Sequence, residues 1–151
     1  MFVSAKRKTV RMKTPLQILV LLVILLIPGS CHKDDTPAVY TIYNTWEVKE
    51  FISILSVNYP KNKDNKLLLT FNQGGTYQLK LDVNTCSGTF ESNVENLIDV
   101  GFPACTEICC DSEFSSKFSA LLPSVASYSI NDKKLDLNVP NWGTIRLELV
   151  Q

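Results

Sequence analysis

The stretch VASYSINDKKLDLNVPNWGTIRLELV, residues 125–150, holds three short runs that alternate apolar and polar residues, separated by NDKK and PNWG. In the last run Ile145, Leu147 and Leu149 fall on one face, and Thr144, Arg146 and Glu148 fall on the other. A period of two is the mark of a strand with one buried face. A sheet that keeps one face wet is antiparallel, so the chain is expected to end in a three-strand meander.

Just upstream the period changes. In DSEFSSKFSALL, residues 111–122, Phe114, Phe118, Leu121 and Leu122 recur at i, i+4, i+7 and i+8, which is one apolar stripe on a helix. Asp111 is the expected cap, Glu113 suits the first turn, and Pro123 is the expected stop.

Further upstream, LLLTF and TYQLKLDV flank NQGG, a close approximation to a hairpin turn that needs positive φ. WEVKEFISIL, from Trp46, alternates at first and reads as a strand with a bend, with residues 51–55 turned inward beyond it. SGTFES and NLIDVGF are weaker strand signals, and NYPKNKDNK, residues 58–66, is a polar loop. The chain shows no internal repeat and no low-complexity tract. These pieces predict an α+β, mainly β domain: a curved antiparallel sheet or barrel-like wall of about seven to eight strands with one packed helix.

The N-terminus is organised differently. Lys6, Arg7, Lys8, Arg11 and Lys13 precede the oily run ILVLLVILLI, residues 18–27, and small residues Gly29 and Ser30 lead to Cys31. That order is an export signal, and the run is too short for a permanent span, which needs about 20 apolar residues. Met1 and Met12 are both open as starts.

Residues 1–30 therefore read as a signal peptide, 31–38 as an acylated Cys31 with a polar tether, and 39–151 as the folded domain. A signal peptide ending in cysteine resembles the bacterial lipobox, with Pro28 where leucine is usual. The following HKDD resembles a surface-export signal of Bacteroidetes-type lipoproteins. These resemblances imply a lipid anchor in the outer membrane and display at the cell surface.

From Cys31 onward the chain carries 10 basic and 15 acidic residues, a net charge of −5. That balance argues against a nucleic-acid partner, which demands a basic patch. Cys86, Cys105, Cys109 and Cys110 form an even set in an exported chain, which favours two disulfides over a zinc site, whose ligands normally come as two spaced pairs. Three pairings are formally open. Because adjacent cysteines bond each other with difficulty, the expectation favours Cys86 with Cys110 and Cys105 with Cys109.

The chain has one histidine, His32, beside the anchor, where it is of no use to a fixed catalytic triad. Acidic pairs such as Glu91 with Glu95 read as solvated faces. No phosphate-cradling glycine loop occurs, and no catalytic residue, metal or cofactor is expected.

NTCSGTF, TEICCDSEF, FSALLPSVASYSI and KLDLNV, taken in order, resemble the META domain (HslJ-like) family of bacterial envelope proteins. The residues that carry the resemblance include Asn84, Ser87, Gly88, Phe90, Thr106, Ile108, Cys110, Phe118, Leu122, Val125 and Tyr128. Val83 stands where the family usually has a cysteine, and Cys86 stands at a usual aromatic position. The resemblance implies a small barrel-like domain with a packed helix and no catalytic residues to carry over.

The functional expectation is a lipid-anchored envelope protein, attached to the membrane through its N-terminus and acting as a non-catalytic binding or structural module for an envelope protein. One alternative is a lipocalin-like carrier of a small apolar ligand, with Trp46, Phe71, Tyr77, Phe114 and Phe118 as wall residues. A second alternative is a cysteine-based metal or redox module.

Overall fold

The computed structural model of the protein describes residues 40–55, 59 and 66–151. The expected signal peptide, Cys31 and the tether lie outside the described residues. Contacts divide the chain into Met1–Thr36 and Pro37–Gln151, and the second unit holds the fold.

Among the described residues nine strands form one antiparallel wall. They are β1 (Thr45–Ser53), β2 (Leu68–Asn72), β3 (Thr76–Lys80), β4 (Thr85–Ser92), β5 (Ile98–Val100), β6 (Ala104–Cys105), β7 (Ser127–Asn131), β8 (Lys134–Val139) and β9 (Gly143–Leu149). The order is β5-β4-β3-β2-β1-β9-β8-β7, with the short β6 continuing beside β4. The two ends of this order meet at a bridge between Leu97 and Ser127. It is flanked by hydrogen bonds from Ile98 N to the Ala126 carbonyl (3.1 Å) and from Tyr128 N to the Asn96 carbonyl (2.9 Å). The sheet is thus a nearly closed barrel.

The C-terminal meander follows its sequence pattern. Ile145 and Leu147 are fully buried, and Arg146 on the outer face bridges three strands, donating to Asp136 at 2.9 Å and to Glu50 at 2.9 Å. Burying a large apolar side chain contributes roughly 1.5–3 kcal/mol, so a one-residue slip that turned these leucines and isoleucines outward is strongly opposed. The β8–β9 turn needs Gly143, whose φ of 144° and close approach to the Ile52 carbonyl leave no room for a side chain.

In β1 the bend is a bulge: the register with β9 shifts between Val48 and Glu50. Trp46 and Val48 face inward before it, while beyond it Phe51 is half-buried and Ile52, Ile54 and Leu55 are exposed. The expectation that residues 51–55 all turn inward is corrected, because the extra residue re-phases the alternation and the strand then ends at Ser53.

Helix α1 (Glu113–Leu121) runs on into a 3-10 turn (Leu122–Ser124) that contains Pro123. Phe114, Phe118, Leu121 and Leu122 bury its apolar stripe in the barrel core. The cap is Ser112 rather than Asp111: its hydroxyl accepts from Ser115 N, while Asp111 is drawn elsewhere. Among the described residues no helix is long and apolar enough to cross a membrane.

Candidate functional site

The segment from Cys105 to Ser112 leads from β6 into α1 at the end of the barrel away from the entry of the chain. One side chain reaches several of its groups at once. Asn84, in the β3–β4 connection, is 7% exposed and uses its whole hydrogen-bonding capacity on this segment. Its Nδ2 donates to the Ile108 carbonyl (2.6 Å) and to Asp111 Oδ2 (2.6 Å). Its Oδ1 accepts from Thr106 Oγ1 (2.7 Å) and from Ile108 N (2.8 Å).

Asp111 returns the contact. Its Oδ1 accepts from Val83 N at 2.9 Å and from Asn84 N at 3.3 Å. Next to it, Asp82 Oδ2 accepts from both the backbone N (2.9 Å) and the hydroxyl of Ser112, the helix cap. Two aspartates and one asparagine thereby tie the start of the helix to the β3–β4 connection. Hydrogen bonds to a charged acceptor are the stronger kind, which makes this a firm mooring.

The cysteines lie along the same segment. Register places Cys86 on β4 opposite Cys105 on β6, with Cα atoms 4.0 Å apart, and the two are joined. Cys109 and Cys110, both exposed, have their sulfur atoms turned to each other. The expected pairing of Cys86 with Cys110 and Cys105 with Cys109 is therefore corrected: strand register selects the partner of Cys86 and leaves the adjacent pair together. Among the described residues no group of three or more His, Cys, Asp or Glu is placed to hold a metal ion.

The candidate wall residues are brought together in the interior. Trp46, Phe71, Tyr77, Phe114 and Phe118 are each no more than 3% exposed. Phe71 packs edge-on against Phe90 at 4.7 Å and against Tyr77 at 6.5 Å, and Phe114 packs on Phe51 at 4.5 Å. Trp46 Nε1 donates to the Ile42 carbonyl at 2.9 Å. The Tyr77 hydroxyl donates to the Gly101 carbonyl at 2.8 Å, and burial pushes its pKa up to about 12.

A cleft of about 740 Å³ lies on the outside of the barrel, across β2, β3, β4 and β6, bordered by Thr70, Gln78, Lys80, Ser87 and Thr106. None of the five wall residues borders it.

Two features escaped the sequence reading. One is the mooring itself, whose signal was present in the order of Asn84, Thr106 and Ile108 but not its purpose. The other is an aromatic cluster at the same end, where Lys117 Nζ lies 5.4 Å from the Tyr59 ring and 5.6 Å from the Trp142 ring, beside Phe51. Nothing local in the sequence announces that meeting.

Gly88 completes the picture. A Cβ at this position would lie 2.6 Å from the Tyr77 ring, so the Ser-Gly-x-aromatic run of β4 has glycine because a tyrosine from β3 crosses over it. The same residues that carry a family pattern here carry the packing of the barrel, and a family model for the META domain matches residues 41–148.

The chain belongs to the META domain family.

Among solved structures, the fold of this META domain is similar to that of a DUF4847 family protein from Bacteroides vulgatus, with a TM-score of 0.54 and 17% identity over 71% of this chain and 92% of that one. It is also similar to a protein from Burkholderia xenovorans, with a TM-score of 0.61 and 11% identity over 78% of this chain and 97% of that one. At these identities the likeness is one of fold. A comparison with curated proteins gives no match.

Proposed function

We propose that this META domain protein is a lipid-anchored lipoprotein of the bacterial outer membrane, displayed at the surface, whose barrel acts by binding or structural association and not by chemistry of its own. The observation that carries the reading is the order of basic residues, oily run, small residues and Cys31, followed at once by HKDD. One acyl chain holds a protein to a bilayer only marginally, whereas several hold it firmly, as lipidation at an N-terminal cysteine does.

The barrel supports the non-catalytic part of this reading. Its most connected polar residues, Asn84, Asp111 and Asp82, spend their hydrogen bonds on backbone and cap groups, which is structural work. The aromatic residues suggested for a carrier wall pack against one another in the core, which favours association through the outer surface.

Mass spectrometry of the mature N-terminus tests the reading. A chain that begins at Cys31 with acyl mass is expected. A mature chain that begins elsewhere, or has an unmodified Cys31, overturns it.

A further inference from the structure

The barrel receives its N-terminal segment at one well-defined end. There Tyr40 and Tyr43 border a cleft of about 360 Å³ together with Asn96, Tyr128 and Ile130. The neighbouring turn, residues 93–97, is held by Asn93 Oδ1, which accepts from Glu95 N and Leu97 N at 3.0 Å each. This rigid turn shows its apolar residues to solvent: Val94 is 99% exposed and Leu97 is 49% exposed, with Tyr43 beside them at 39%. The β7–β8 turn and the start of β8, at the same end, add two exposed cations, Lys133 and Lys134, beside the exposed Asp132.

A fixed loop that holds a valine almost wholly in water wastes apolar surface unless something covers it. Tyrosine with one apolar and one polar end suits the boundary between water and lipid. If Cys31 sits in a bilayer, the chain from it to Tyr40 spans at most about 30 Å fully extended. This end is then confined close to lipid at a high effective concentration, so modest contacts suffice to seat it.

We propose that this end of the barrel is a docking surface for the lipid bilayer that carries Cys31, with Tyr43, Val94 and Leu97 entering the headgroup region and Lys133 and Lys134 facing anionic headgroups. The proposal rests on the lipid-anchored reading above. It gives the protein an orientation: the moored cysteine segment and the exposed Ile54, Leu55 and Ile108 at the other end point away from the membrane, towards whatever the protein associates with.

The test uses the chain from Cys31 onward, which contains the whole compact unit beginning at Pro37. Cys31 is coupled through its thiol to a maleimide lipid in phosphatidylethanolamine–phosphatidylglycerol vesicles whose acyl chains are brominated to quench nearby indoles. Emission is read as the difference from the unsubstituted chain, whose Trp46 and Trp142 also emit; the indole added by Val94→Trp is expected to be quenched relative to unbrominated vesicles, and the one added by Leu55→Trp to stay bright. Both positions are exposed, so neither substitution disturbs the core.

Equal quenching at the two positions, or no loss at position 94, overturns the docking surface. Lys133→Glu combined with Lys134→Glu is expected to reduce the quenching at position 94. Failure of the anchored reading is seen separately, as cell-derived protein without acyl mass at Cys31. Failure of the docking surface alone is seen as a lipid-bound chain whose residue-94 indole stays bright.

Discussion

The carboxylate of Asp111 grips the β3–β4 connection from both sides: one oxygen accepts from the Asn84 side chain at 2.6 Å and the other from the backbone N of Val83 at 2.9 Å. Truncating Asn84, itself buried, removes four part-buried hydrogen bonds, each worth roughly 0.5–1.5 kcal/mol. Asn84→Ala is therefore expected to lower stability by at least about 2 kcal/mol, read as a shift in the urea midpoint. Asn84→Asp should be worse, because it sets a second carboxylate against Asp111. An unchanged midpoint in both variants would show that the mooring is idle.

Gly88→Ala tests the crossing of Tyr77 over β4. The added methyl meets the phenol end of the buried Tyr77 ring, at Cε1, Cζ and the hydroxyl oxygen, which the hydrogen bond to Gly101 holds in place. Overpacking of this kind costs about 1–3 kcal/mol. In a Tyr77→Ala background the same change should cost much less, and the difference between the two is the coupling that a double-mutant cycle measures.

The Tyr77 hydroxyl also predicts a pH dependence. Its folded pKa, about 12, lies above the ordinary tyrosine value of 10.0 because burial disfavours the phenolate. The folded chain keeps the proton after the unfolded chain has lost it. The contribution is fully present below pH 10 and fades as pH rises towards 12. Tyr77→Phe should lose the hydrogen bond to Gly101, at about 1 kcal/mol, and show a flatter decline in stability over that alkaline window.

Reduction should separate the two cysteine pairs. Cys86 and Cys105 are 19 residues apart in sequence, so their bond restricts the unfolded chain, and replacing both by serine is expected to cost about 3 kcal/mol. Cys109 and Cys110 are neighbours and close no loop of chain. Replacing both should leave the urea midpoint nearly unchanged while Asn84 holds the segment.

Ser115 offers the reverse effect. Its hydroxyl is buried in the first turn of α1 with no hydrogen-bond partner among the described residues. Ser115→Ala removes an unsatisfied group and is expected to raise the midpoint, or at worst leave it unaltered.

Much of this architecture is legible in one dimension because a strand with one buried face writes its geometry as alternation. Ile145, Leu147, Leu135 and Leu137 could be assigned to the core from spacing alone, and the stripe from Phe114 to Leu122 likewise. What could not be read depends on partners distant in sequence. The bulge in β1 is set by its register with β9, and it turns Ile52 outward against its hydropathy. The choice between Asp111 and Ser112 as cap is local in chemistry, yet Asn84, 27 residues away, decides it. The partner of Cys86 is fixed by the pairing of β4 with β6, a strand of two residues that no periodicity reveals.

The seam between Leu97 and Ser127 differs from the rest of the wall. Along the order from β5 to β7 neighbouring strands are laced together over three or more residue pairs, whereas here one bridge and its two flanking hydrogen bonds complete the circle. A cylinder zipped at one tooth breathes there first. Deuterium should reach the amides of Ile98 and Tyr128 before those of β8 and β9, so that under stress the barrel springs open beside its helix while its C-terminal staves stay shut.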